Sequence, residues 1–292
     1  MKIEYQKIRI QKRRLGLIEQ ANEIITEYAG QGYTLTVRQI YYQFVARGWI
    51  SNDITSYGYV GAAINKGRMA GLIDWNAVED RTRFLRGNEQ WHDVTHSLNT
   101  AARSYQRNSR ETQDYAIEVW IEKDALVGII DPVCRELDVD FFACRGYVSL
   151  SEMWRAAQRL QNTQKKIVIL HLGDHDPSGV NMTHDIENRL TIFGCENLEV
   201  RRIALTMKQV KKYKPPPNPV KFSDSRSPEY VVKYGTESWE LDALAPSVME
   251  DLIRTNVEAL TDDVRRQEVI DEQEEERTQL ENIAENWREL EI

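Results

Sequence analysis

Apolar residues recur at helical spacing over residues 8–28, at Leu15, Ile18, Ala21, Ile25 and Tyr28. That is the stripe of an amphipathic helix, and Gly30-Gln31-Gly32 stops it. Thr36 and Gln39 have capping-box spacing, so a second helix is predicted over 37–47, ending at Gly48. A third runs from about 57 to 70, carries Lys66 and Arg68, and closes at Gly71. Leu72-Ile73-Asp74-Trp75 and Asn76-Ala77-Val78 read as short strand pieces, followed by Arg81, Arg83 and Arg86. Three short helices and a small basic ribbon predict a winged helix-turn-helix, a design that puts one helix into the DNA major groove. Lys66, Arg68, Arg81, Arg83 and Arg86 are its candidate DNA contacts. A small helical domain that binds protein fits the same pattern.

Residues 88–112 are polar and helical in pattern, and read as a connector. From about residue 115 the rhythm alternates. Strands are predicted over 116–121, 139–143, 167–172 and 198–205, with helices over 125–137, 150–160 and 180–192 between them. Such alternation specifies an α/β domain with a parallel sheet covered on both faces. Pro215-Pro216-Pro217 and Pro219 then predict a stiff extended loop flanked by lysines. Residues 239–244 and 247–260 read as helical, and the stretch from Thr261 onward as an acidic helix with one packed stripe. The expected organisation is a helical unit over 1–90, a connector over 91–112, the α/β unit over 113–260 and an acidic helical tail over 261–292.

Charge refines this division. The chain carries 38 Lys and Arg against 46 Asp and Glu, a net charge of −8 over 292 residues. Residues 1–112 hold 16 basic against 11 acidic residues, a net of +5, whereas 261–292 hold 4 against 12, a net of −8. A basic front half is compatible with a nucleic-acid surface. No run approaches the ~18 apolar residues of a membrane span, so no membrane partner is expected. The basic start, 1–14, lacks the apolar core of a secretion signal. Three cysteines, Cys134, Cys144 and Cys195, lie far apart without metal-ligand spacing. They read as buried free thiols of a reducing, cytoplasmic compartment.

Two groups of residues could carry chemistry. Ile167-Val168-Ile169-Leu170-His171-Leu172 is a buried-strand run that leads into Gly173-Asp174-His175-Asp176-Pro177-Ser178-Gly179. Asp174 and Asp176 sit two apart, so in an extended segment their carboxylates face the same way. Pro177 suits a first helical turn. The strand over 116–121 ends at Glu122. Three carboxylates at the carboxyl edge of one sheet repel one another unless a cation neutralises them. Hard oxygen donors select Mg²⁺, with Mn²⁺ able to substitute. The second group lies on the helix over 37–47, where Val37, Ile40, Tyr41, Phe44 and Val45 form one stripe and Tyr42 falls just off it. Arg38, four residues earlier, shares the face of Tyr42. At neutral pH only about one free tyrosine in a thousand is ionised, and a cationic neighbour stabilises the phenolate. A nucleophilic tyrosine and a Mg²⁺ site together suit phosphodiester transesterification. A metal-dependent nuclease that uses water, and a DNA-binding module whose acids are structural, use the same residues differently. His92 and His96 share a helical face but lack the further ligands of a zinc site.

Ile121-Glu122-Lys123-Asp124 and the Gly173–Gly179 turn resemble the Toprim domain. With Arg38-Gln39-Ile40-Tyr41-Tyr42 in front of them, they resemble more narrowly the A subunit of topoisomerase VI and its relative, the meiotic double-strand-break protein. Gly146-Tyr147 and, less closely, Glu240-Leu241-Asp242-Ala243-Leu244 also resemble family features, and the resemblance spans about residues 10–250. The short chain looks most like the compact, stand-alone Mini-A relatives from prokaryotic mobile elements. The resemblance implies a winged helix followed by a Toprim domain, with Tyr42 as nucleophile assisted by Arg38. It assigns Glu122, Asp174 and Asp176 to Mg²⁺. It implies a homodimer on double-stranded DNA, the tyrosine of one copy meeting the metal of the other, and a 5′-phosphotyrosyl product. Gln39 stands where the family often has an acid, and His175 lies inside the acidic pair. No phosphate-cradling glycine motif marks an ATP site, so strand passage needs a separate ATPase B-type subunit, or the protein only cleaves.

Overall fold

The computed structural model describes residues 1–79 and 90–287. Arg81, Arg83 and Arg86, and the last acidic residues of the tail, lie outside the described residues. Helices α1 (Lys12–Ala29), α2 (Val37–Ala46) and α3 (Ile54–Met69) surround one apolar cluster that includes Ile18, Ile24, Ile40, Phe44, Val60 and Ile64. Both halves of the Thr36/Gln39 capping box form at the start of α2. Helix α3 begins three residues before the expected position because Asp53 accepts from the Ser56 backbone N–H at 2.8 Å and caps it.

The expected strand pieces over 72–78 do not form among the described residues. Asp74 caps a single 3₁₀ turn, Trp75–Ala77, by accepting from the Asn76 N–H. That local bond turns the backbone where a strand would have to extend. Among the described residues up to 79, β pairing is limited to the isolated bridges Glu4–Ala70 and Leu35–Val78.

The predicted connector contains helix α4 (Val94–Ser104). The α/β part carries β1 (Tyr115–Ile121), α5 (Val127–Glu136), β2 (Asp140–Ala143), α6 (Leu150–Gln161), β3 (Lys166–Leu172), α7 (Pro177–Ile192) and β4 (Leu198–Ala204). Its four strands are parallel, in the order β2-β1-β3-β4. Alternate residues serve opposite faces. Val119, Ile121, Val168 and Leu170 pack with Ile129 and Ile130 of α5, whereas Trp120, Ile167 and Ile169 pack with Met153 of α6 and Ile186 of α7. Each such fully buried side chain contributes about 1.5–3 kcal/mol. All three cysteines are free and buried.

The proline-rich stretch is more structured than the expected loop. Helix α8 (Met207–Tyr213) precedes β5 (Asn218–Pro219). Helix α9 (Ser227–Tyr234) follows, and then β6 (Glu237–Ser238), which pairs antiparallel with β5. A 3₁₀ turn, Leu241–Ala243, leads to α10 (Pro246–Glu258), which closes the α5 face of the sheet. The acidic helix α11 (Asp263–Asn286) lies antiparallel to α4: Trp287 donates to Thr95, Tyr105 donates to Glu276, and Arg107 pairs with Glu272. The connector is therefore a packed helix whose cationic flank offsets part of the acidic stripe. Among the described residues no helix is long and apolar enough to cross a membrane.

Candidate active site

The strand order reverses direction between β1 and β3, and α/β sheets leave a ligand crevice at the carboxyl ends of two such strands. Glu122 follows β1 and Asp174 lies two residues beyond β3. The Glu122 N–H donates to the Leu172 carbonyl at 2.9 Å, and the Asp174 N–H donates to Glu122 Oε2 at 2.8 Å. Glycines make this approach feasible, since a methyl at Gly173 or Gly179 would stand 2.9 or 3.0 Å from Glu122 Oε2. Asp176 caps α7, its Oδ1 accepting from Gly179 N–H at 2.6 Å and from Ser178 Oγ at 3.0 Å. Pro177 occupies the first turn as its type predicts.

Arg202, on β4, braces the turn from below. Its guanidinium donates to the carbonyl oxygens of Gly173, Asp174, Gly179 and Leu205 and to Thr183 Oγ1. His175 turns away from its acidic neighbours. Only 3 % exposed, it packs against Tyr230, Tyr234 and Trp239, and its Nδ1 lies 2.7 Å from the Tyr230 hydroxyl. Burial and Arg202 hold its pKa down to about 4, so the ring is neutral. Its backbone pairs in both directions with Trp239, which ties the 239–243 segment to the acidic turn.

That segment delivers Glu240 to the tyrosine. Tyr42 is 4 % exposed, as is Tyr41, so its place off the helical stripe does not leave it in solvent. The Tyr42 hydroxyl donates to Glu240 Oε2 at 2.5 Å. Arg38 Nη2 donates to the same oxygen at 2.8 Å and lies over the Tyr42 ring. Lys123 joins both halves: its ammonium lies 2.9 Å from Glu240 Oε2, 2.6 Å from Asp242 Oδ2 and 2.9 Å from Asp174 Oδ1. Asp174 Oδ1 also accepts from the Leu241 N–H.

Burial and Glu240 together raise the pKa of Tyr42, and the opposing pull of Arg38 and Lys123 does not prevail. The phenolate expected from the Arg38 pairing is therefore disfavoured, and the hydroxyl keeps its proton. Burial works against ionised Glu240 as well, but Lys123, the Tyr42 hydroxyl and Arg38 overcome it and hold the carboxyl near 2. Burial and Asp174 push Glu122 upward, and burial pushes Asp174 upward against the pull of Lys123. Two carboxylates made costly in this way favour an added cation.

One cleft of about 970 Å³ is lined by Arg38, Tyr42, Glu122, Lys123, Asp174, Asp176 and Glu240, and by Asn52 and Lys221. It gathers five sequence-predicted residues: Tyr42, Arg38, Glu122, Asp174 and Asp176. Lys66 and Arg68 are not among its lining residues. Arg68 stacks on Trp75 and donates to its carbonyl. Lys123 and Arg202 join the site although the sequence alone does not single them out. Their sequence signals are a lysine directly after a strand-ending glutamate, and an arginine within a buried-strand pattern.

The three predicted metal ligands do not close on a common point. Among the described residues no group of three His, Cys, Asp or Glu side chains is placed to hold a metal ion. That includes His92 and His96, whose rings meet edge to face. Asp174 is engaged by Lys123 and Leu241, and Asp176 by its cap. Mg²⁺ makes modest demands, taking one or two carboxylates, several waters and substrate phosphate oxygens. Glu122 and Asp176 on one cleft wall fit that requirement, with Asp174 as a neighbour. Compared with known proteins, the chain matches no family model and no curated protein.

Proposed function

We propose that the protein is a Mg²⁺-dependent, DNA-cleaving transesterase of the topoisomerase VI A-subunit kind, with Tyr42 as nucleophile. The carrying observation is the single cleft that holds Tyr42 and Arg38 on one wall and Glu122, Asp174 and Asp176 on the other. In this reading the helices of residues 1–90 form the DNA-binding helix-turn-helix unit and 113–260 a Toprim domain, working as a homodimer that cuts one strand per copy. Tyr42 Oη bonds to phosphorus as the P–O3′ bond breaks. The 5′ end becomes a phosphotyrosyl ester and the phenol proton passes through solvent to the released O3′. Arg38 orients the phosphate by its planar fork. Glu122 and Asp176 would hold Mg²⁺, which when bound offsets charge on the phosphate oxygens. Within one chain, Tyr42 is bonded to Glu240. Pairing it with the acids of a second copy requires that bond to open.

The test is incubation of duplex DNA with Mg²⁺ or Mn²⁺, denaturation, and detection of covalent protein–DNA adducts. Tyr42→Phe abolishes them, and adducts that persist in that variant would sink the assignment. The protonated, glutamate-bound state of Tyr42 favours a second reading, a nuclease that activates water at the same acids. That enzyme cleaves without an adduct and is indifferent to Tyr42→Phe.

A further inference from the structure

Three donors converge on one oxygen in this cleft: the Tyr42 hydroxyl, Arg38 Nη2 and Lys123 Nζ all bond Glu240 Oε2, at 2.5, 2.8 and 2.9 Å. A hydroxyl, a guanidinium and an ammonium around one anionic oxygen are the partners that a non-bridging phosphate oxygen takes. We propose that Arg38 and Lys123 form the seat of one DNA phosphodiester, and that the Glu240 carboxylate occupies this seat in the free protein. The inference rests on reading the cleft as a DNA site and names a phosphate ligand for Lys123, which that reading leaves without a role.

Among the carboxylates around Lys123, Glu240 is the displaceable one. Its side chain is 27 % exposed, against 10 % for Asp174 and 0 % for Asp242. The backbone on either side is pinned, Trp239 to His175 and the Leu241 N–H to Asp174, so only the side chain has to move. Asn218 Nδ2 already touches the far oxygen, Glu240 Oε1, at 3.4 Å and can follow it outward. Charge gives the reason for movement. Arg38 and Lys123 face the carboxylates of Asp174, Glu240 and Asp242. A phosphodiester that entered with Glu240 in place would add a fourth negative charge to two cations in a largely buried site, which is costly. Exchange of one anion for the other leaves the balance unchanged and frees the Tyr42 hydroxyl beside the phosphorus.

The test is equilibrium binding of a blunt, fluorescein-labelled duplex in EDTA over a KCl series, where no cleavage contributes. Glu240→Gln keeps the shape of the side chain and removes its charge. It tightens binding by about tenfold at low salt, equivalent to ~1.4 kcal/mol. The slope of log K against log salt steepens by about 0.9 for each further phosphate that the protein neutralises. Glu240→Asp, which keeps the charge but draws it back by one methylene, tightens binding less. Adding Lys123→Gln to Glu240→Gln returns binding to the native level, with melting curves confirming that each variant is folded. Unchanged or weaker binding in both Glu240 variants, or an unchanged salt slope, overturns the proposal. Tighter binding with no Tyr42 adduct in Mg²⁺ keeps the seat and removes the transesterase. An adduct with unaltered binding does the reverse.

Discussion

Tyr42 enters the cleft from α2, a helix whose start is specified by Thr36 and Gln39 only a few residues away. Asp174 is held by groups 28 to 67 positions distant: Arg202, Glu122 and the Leu241 N–H. The tyrosine wall is thus placed by local chemistry and covered late, by Glu240. The acidic wall is placed by strand ends and neutralised from afar, by Lys123. A wall of the first kind tolerates loss of one bond, because the helix persists without it. A wall of the second kind does not, because removing one charge strands the others.

Substitutions that separate the walls rank accordingly. Tyr42→Phe has the largest functional effect, complete loss of covalent adduct, while its stability falls by only about 1 kcal/mol for one hydrogen bond; denaturing gels and thermal melts read the two. Lys123→Ala leaves Asp174, Glu240 and Asp242 without their shared ammonium and destabilises by about 3–5 kcal/mol in urea unfolding. A loss below 1 kcal/mol would mean that the acidic wall is not held from afar. Gly179→Ala presses a methyl into the Asp174 carbonyl oxygen and costs about 1–3 kcal/mol, with loss of the acidic turn.

Acid unfolding comes next. Glu240 has its pKa lowered from 4.5 to about 2, so its contribution is complete above the ordinary glutamate range and is lost as pH falls toward 2. Urea midpoints measured down that range fall in the native protein and fall less in Glu240→Gln. The smallest effect belongs to Asp176→Asn. Asparagine caps a helix about as well as aspartate, so stability changes by only a few tenths of a kcal/mol. If Asp176 serves Mg²⁺, activity drops and the metal concentration needed for half-activity rises.

Both walls were partly legible in the residues, and for different reasons. The capping box and apolar stripe place α2, and continuous apolar runs place β1 and β3, because those signals act between neighbours. Glu122 and Asp174 at strand ends follow directly. Burial of Tyr42 does not, since its own helix leaves that face open and the cover arrives from residues 239–243. Lys123 was equally opaque: a lysine after a strand reads as a solvated end, and its three carboxylate partners come together only in the folded chain. The strand pieces expected over 72–78 give way for a local reason instead, the Asp74 cap. His175, which lies inside the acidic pair in sequence, belongs to an aromatic packing site assembled from α9 and Trp239.

The Tyr42–Glu240 hydrogen bond spans 198 positions. A ribosome adding roughly 5–20 residues per second needs about 10–40 s to travel that distance. For that interval the nascent chain carries Tyr42 and Arg38 with no glutamate over them, and Lys123 emerges in the meantime. Synthesis therefore makes the tyrosine first and its cover last, and a chain truncated before residue 240 never acquires the cover.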